Sequence, residues 1–164
     1  MRITPLFLTL GLVFACSIAA SDTVQPLSQY RILEWKELVP QSWEPPLVPV
    51  AYDRAEKAGV DPGSVVEELT GQLITLPGFM KPLVFKDNWV SEFLLVPYLP
   101  HHTKQHAHLH ANQMVHVTLL EPLKVDNPLQ PIWVVGTMSL KPVFTEEGLA
   151  AYSVEDGVAT DYEY

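Results

Sequence analysis

The sequence predicts a mainly β protein, a small closed or partly open five-stranded barrel behind a short helical, proline-rich N-terminal extension. Three observations carry this expectation. Past residue 63 the apolar residues fall into strand-length runs bounded by turn residues, with Asp61-Pro62-Gly63 marking the change. Five such strands with long connections are best relieved of exposed edges by closing on themselves. The 164 residues, less a leader, suffice for one core and one domain.

Residues 1–20 read as an export signal. Arg2 supplies the positive region, residues 3–14 the apolar one, and Ser17-Ile18-Ala19-Ala20 a small-residue cleavage site. The apolar run is short for a membrane span, and no later stretch approaches the ~20 residues a span requires. The expected mature protein is periplasmic, with no transmembrane segment. Val13-Phe14-Ala15-Cys16 also resembles a lipoprotein box, in which Cys16 would become the lipidated first residue; Phe14 fits that box poorly, and cleavage after Ala20 is preferred. Cys16 is the one cysteine, so the mature chain would have neither disulfide nor thiolate ligand.

Residues 21–63 form the extension. Tyr30 to Leu38 reads as a short helical or turn-like segment ending before Pro40, with Trp35, Leu38 and Trp43 placed to pin the arm onto a core. Pro45, Pro46 and Pro49 enforce an extended linker. A second helix is expected at 52–58, capped by Gly59. The barrel occupies 64–164, with strands near 71–76 continuing at 82–85, then 90–98, 113–119, 132–140 and 150–163, the last interrupted at Asp156-Gly157. The apolar density of 90–96 and 132–135 predicts strands buried on both faces. Val115, Val117 and Leu119 share one face, with Met114 and His116 on the other.

All six histidines, His101, His102, His106, His108, His110 and His116, lie within sixteen residues joining the second and third strands. In extended backbone His106, His108 and His110 project to one side, Cα atoms of alternate residues about 6.5 Å apart. Two such imidazoles can meet an ion at the zinc–nitrogen distance of about 2.0–2.1 Å. If the extended conformation continues, His116 keeps their parity. Imidazole suits Zn(II), Cu(II) and Ni(II), whereas Mg(II) and Ca(II) want oxygen ligands. The expected cofactor is Zn, with Cu or Ni as alternatives, and all six histidines are candidate ligands. A histidine-rich surface tract without fixed geometry is the bland alternative.

The formal charge is −9; without Arg2 nine basic residues face nineteen acidic ones, which is −10. That balance argues against nucleic acid and anionic lipid headgroups, and favours cations. No phosphate-binding glycine loop, HExxH helix or GxSxG elbow is present, and no serine stands beside a histidine in sequence. Glu67-Glu68, Glu146-Glu147 and Glu155-Asp156 read as solvated turn residues. The acidic tail from Glu155 to Glu163 reads as a soluble edge strand, or alternatively as the part that completes a metal sphere.

Five segments resemble one family: Trp35-Lys36-Glu37-Leu38-Val39-Pro40, Gly78-Phe79-Met80-Lys81-Pro82-Leu83, Glu92-Phe93-Leu94-Leu95-Val96-Pro97-Tyr98, Ala111-Asn112-Gln113-Met114-Val115 and Pro131-Ile132-Trp133-Val134-Val135-Gly136. In this order they resemble the exported bacterial proteins known as domain of unknown function 3299. The resemblance implies an OB-like barrel with an N-terminal extension. It further implies genes beside zinc-responsive operons and an ABC transporter of the macrolide-exporter type, hence a periplasmic accessory role. The family's loop after VPY usually carries a cysteine and a histidine followed by prolines; here residues 99–110 carry histidines where the cysteine and prolines would stand, which removes thiol chemistry and favours imidazole.

The expected function is therefore a metal-binding accessory protein, not an enzyme, partnered by a metal ion and an envelope ABC transporter. The alternatives are a non-catalytic interaction module with an incidental histidine loop, and a metal-dependent hydrolase, since three imidazoles holding a zinc water is also a hydrolytic layout.

Overall fold

The computed structural model describes residues 30–46, 60–61, 64–99 and 109–162. Its strands are β1 (Arg31–Ile32), β2 (Leu73–Lys86), β3 (Trp89–Val96), β4 (Val115–Lys124), β5 (Pro131–Ser139), β6 (Val143–Thr145), β7 (Gly148–Ala150) and β8 (Tyr152–Asp161). The large sheet runs β1-β2-β3-β4-β8-β5, and β5 pairs again with β2, closing five strands into a barrel. β4 and β8 are parallel, as are β1 and β2; the other pairings in the sheet are antiparallel. The fold is thus mainly β with the connectivity of an OB-like barrel, as expected. Among the described residues no helix is long and apolar enough to cross a membrane.

Alternation builds the core. From Leu73 to Met80 every second residue of β2 is buried, and Ile74, Leu76 and Met80 join Phe93, Leu95, Val115, Val117, Val134 and Val154 inside the barrel. Each fully buried leucine or phenylalanine contributes about 1.5–3 kcal/mol. β3 is buried on both faces, as its composition predicts: Phe93 and Leu95 face inward, while Leu94 and Val96 join an outer cluster with Met114 and Ala150. β5 departs from that expectation. Ile132 and Val134 are buried, but Trp133 is half-buried and stacks on Tyr162 at 5.0 Å.

β2 is one strand of 14 residues, not two segments, and runs through Pro77 and Pro82. Pro82 is tolerated because it lies past the last β5 partner of β2, the Phe79–Pro131 pair, and borders a register shift. Pro77 sits between the stretches that pair with β1 and β3; its carbonyl accepts instead from Trp35 Nε1 at 2.7 Å. Gly78 is required nearby, since a Cβ there would lie 2.8 Å from the Val96 carbonyl oxygen. The interruption expected at Asp156-Gly157 is a bulge: Asp156 takes φ 53°, and the β4 register steps from Val117–Val154 to Leu119–Gly157.

Two further departures are local. The segment 30–38 opens as the short strand β1 and becomes a 3-10 turn only at Trp35–Leu38. β6 and β7 form a separate hairpin that the sequence reading, whose last strand begins at Ala150, did not expect. β8 is no edge strand either, for it lies between β4 and β5. The helix expected at 52–58 and the leader lie outside the described residues.

The arm belongs to the barrel core. Leu33 and Leu38 are buried in it, and the hydroxyl of the fully buried Tyr152 donates to the Leu38 carbonyl and accepts from the Val66 amide, each at 2.7 Å. Burial pushes the Tyr152 hydroxyl above its ordinary value of 10.0. Tyr152→Phe strands an amide and a carbonyl, and should lower stability by about 1–3 kcal/mol in urea unfolding at neutral pH. A raised folded-state value means this contribution is complete below pH 10 and fades as pH rises through the folded value. The gap between parent and variant should therefore narrow above pH 10; a gap constant across that range would remove the linkage.

Candidate functional site

The connection between β3 and β4 leaves and rejoins the barrel at one rim. Its described ends, Leu99 and Leu109, pack on the outer cluster with Phe79, Leu83, Leu94, Val96, Met114 and Ala150. Hairpin β6–β7 lies over the same face: a Cβ on Gly148 would lie 3.0 Å from Met114 Cε, and Lys81 Nζ is 2.6 Å from Glu147 Oε2. At this rim the outer side of β2–β4 is therefore covered and apolar.

Of the candidate ligands, His101, His102, His106 and His108 lie outside the described residues. His110 and His116 lie within them, and the structure places them differently. His110 precedes a 3-10 turn at Ala111–Gln113; its amide donates to Gln113 Oε1 at 3.1 Å, and its ring meets Trp43 edge-on, centroids 5.1 Å apart. That turn breaks the extended parity expected to carry from His110 to His116. The short loop needs it because Asn112 is drawn inward, buried, with Nδ2 donating to the Ser64 carbonyl at 3.0 Å.

His116 sits in β4, 7% exposed, with Nε2 2.7 Å from Glu92 Oε1 on β3. Register explains the meeting: Glu92 pairs with Thr118 and Leu94 with His116, so Glu92 and His116 are diagonal neighbours on one face. Beyond them on β8, Glu155 is held below the usual carboxylate range, first by the hydrogen bond and charge of Lys141 at 2.6 Å and then by the His116 charge. The acidic tail thus does approach a histidine, through Glu155. Among the described residues, however, no three histidine, cysteine, aspartate or glutamate side chains converge as a metal site.

Ser153 is the direct register partner of His116. A serine beside a histidine across a strand pair is invisible to sequence spacing. Its Oγ is buried and forms no hydrogen bond among the described residues, so His116 does not activate it here. Glu92 was the other residue missed, although a lone carboxylate in the apolar run Val90-Ser91-Glu92-Phe93-Leu94 is a legible signal.

The dyad should couple measurably. His116→Ala and Glu92→Ala each remove one partner, and in a double-mutant cycle by urea unfolding their effects should fall short of additivity by about 0.5–3 kcal/mol. Strict additivity would mean the contact contributes nothing.

The family model described as a protein of unknown function, DUF3299, matches residues 35–160. The crystal structure of a DUF3299 family protein from Pseudomonas aeruginosa PAO1 is similar at 31% identity and a TM-score of 0.64, covering 82% of this chain and 97% of that one. No curated protein matches the sequence. With the match spanning most of both chains and the same barrel beneath it, the chain belongs to the DUF3299 family.

Proposed function

We propose that this protein is an exported metal-binding accessory protein that takes up Zn(II), or else Cu or Ni, through the β3–β4 connection and works beside an envelope ABC transporter. One observation carries the reading: six histidines, with no cysteine or carboxylate among them, are concentrated in the sixteen residues from His101 to His116. The neutral imidazole nitrogen is a common ligand for these metals. The barrel supports the reading by anchoring both ends of the connection, at Leu99 and Leu109, and by seating His110 against Trp43. An acidic surface favours the approach of cations.

The proposed role is binding and not turnover. His106, His108 and His110 are the first-choice ligands, with His101 and His102 completing the set. His116, tied to Glu92, is the least available of the six.

Replacing His106, His108 and His110 together by alanine should lower zinc affinity by orders of magnitude in titration against a competing chelator. His116→Ala should leave it nearly unchanged. Unaltered affinity in the triple variant would overturn the assignment.

A further inference from the structure

Where the N-terminal extension meets the barrel there is a cavity of about 430 Å³, lined by Val60, Val65, Glu67 and Thr70 on one side and by Leu140, Pro142 and Ala151 on the other. None of these residues belongs to the histidine-rich connection or to the Glu92–His116 pair. The volume falls within the ~300–1,000 Å³ usual for small-molecule sites. Both walls are pinned to the barrel backbone. The Val66 amide donates to the Tyr152 hydroxyl at 2.7 Å, the Gly71 amide to the Met138 carbonyl at 2.8 Å, and the Ala151 amide to the Ala111 carbonyl at 2.9 Å. A cavity held in this way is formed before a ligand arrives, which spares the cost of ordering it.

The lining is apolar except for one hydroxyl, of Thr70, and one carboxylate, of Glu67. Both residues are exposed, so the polar end of the cavity faces solvent. Glu67 forms no ion pair among the described residues. The charged residues that adjoin the lining in sequence are Asp61, Glu68 and Lys141, and Lys141 Nζ already lies 2.6 Å from Glu155 Oε1. Arg31, which reaches Gln72 at 3.0 Å, is likewise held by Glu37 at 2.6 Å. The balance at the cavity is therefore negative, each nearby cation having a carboxylate of its own. Behind the wall stands a further acceptor. Asn112 is 1% exposed; its Nδ2 donates to the carbonyl of Ser64, next to Val65, while its Oδ1 has no partner among the described residues.

We propose that this cavity binds a small organic amine, its apolar body lying against Val60, Val65, Leu140 and Pro142 and its protonated nitrogen meeting Glu67. An anion of the same shape would face the Glu67 carboxylate with no cation free to receive it. A neutral ligand would gain the apolar contact alone. Because Glu67 is exposed, solvent screens its charge, and the preference for an amine over the isosteric alcohol is about three- to fivefold. Burial of the apolar body supplies the rest of the affinity. The cavity stands apart from the histidine-rich connection, so its occupancy is independent of any metal held there.

The test is titration of the untagged protein, with a chelator present, followed through backbone amide shifts in nuclear magnetic resonance. The probes are 2-phenylethylamine, 2-phenylethanol and 3-phenylpropionate, which share a shape and differ in charge. The amine should bind most tightly, the alcohol about three- to fivefold more weakly and the carboxylate least, with shifts centred on Val65, Thr70 and Ala151. Added salt should shrink the lead of the amine. Glu67→Gln should bring the amine down to the level of the alcohol and leave the alcohol unchanged. Glu67 is exposed and outside the core, so this variant is expected to fold. Equal binding of amine and alcohol by the parent, an amine preference that survives Glu67→Gln, shifts centred away from the lining, or no binding by any probe would overturn the proposal.

Discussion

Strand β8 is the constraint on which the rest of this structure depends. It lies between β4 and β5, parallel to one and antiparallel to the other, and without it the sheet would have two open edges. Its first residue, Tyr152, also reaches across the core to hold two separate parts of the N-terminal region, Leu38 and Val66, with one hydroxyl. A buried hydroxyl bonded at both donor and acceptor costs little, whereas the backbone groups it satisfies would be costly if orphaned. The same side chain thus closes the barrel interior and fastens the arm. The parallel β4–β8 pairing then sets His116 beside Ser153 and brings Glu155 within electrostatic reach of the imidazole.

The two described histidines separate two kinds of role. His116 is enclosed under a covered face, and a buried polar group is tolerated only with a partner, which Glu92 supplies at 2.7 Å. That makes it part of the sheet's structure. His110 stands at the rim, where it caps the 3-10 turn and its ring meets Trp43. Contiguity in sequence joins these residues; the Ala111–Gln113 turn divides them in space.

Legibility followed the physics of each segment. The barrel strands were readable because alternation and apolar density are strong over eight or more residues, and the Asp156-Gly157 irregularity because those residues tolerate a left-handed backbone. The unbroken β2 was not, since prolines ordinarily end strands, and only tertiary partners reveal that Pro77 and Pro82 fall where no ladder amide is needed. Hairpin β6–β7 has three residues a side, too few for periodicity. Glu92–His116 is a contact between residues 24 apart in sequence, fixed by register and a bulge in β3–β4 pairing that no local pattern encodes.

The central claim is that the histidine-rich connection is a selected metal site on a rigid barrel. The most direct measurement is the metal content, by inductively coupled plasma mass spectrometry, of untagged protein purified from the periplasm. The account predicts near-stoichiometric zinc. Protein recovered without zinc, copper or nickel would contradict it and reduce the six histidines to a surface tract.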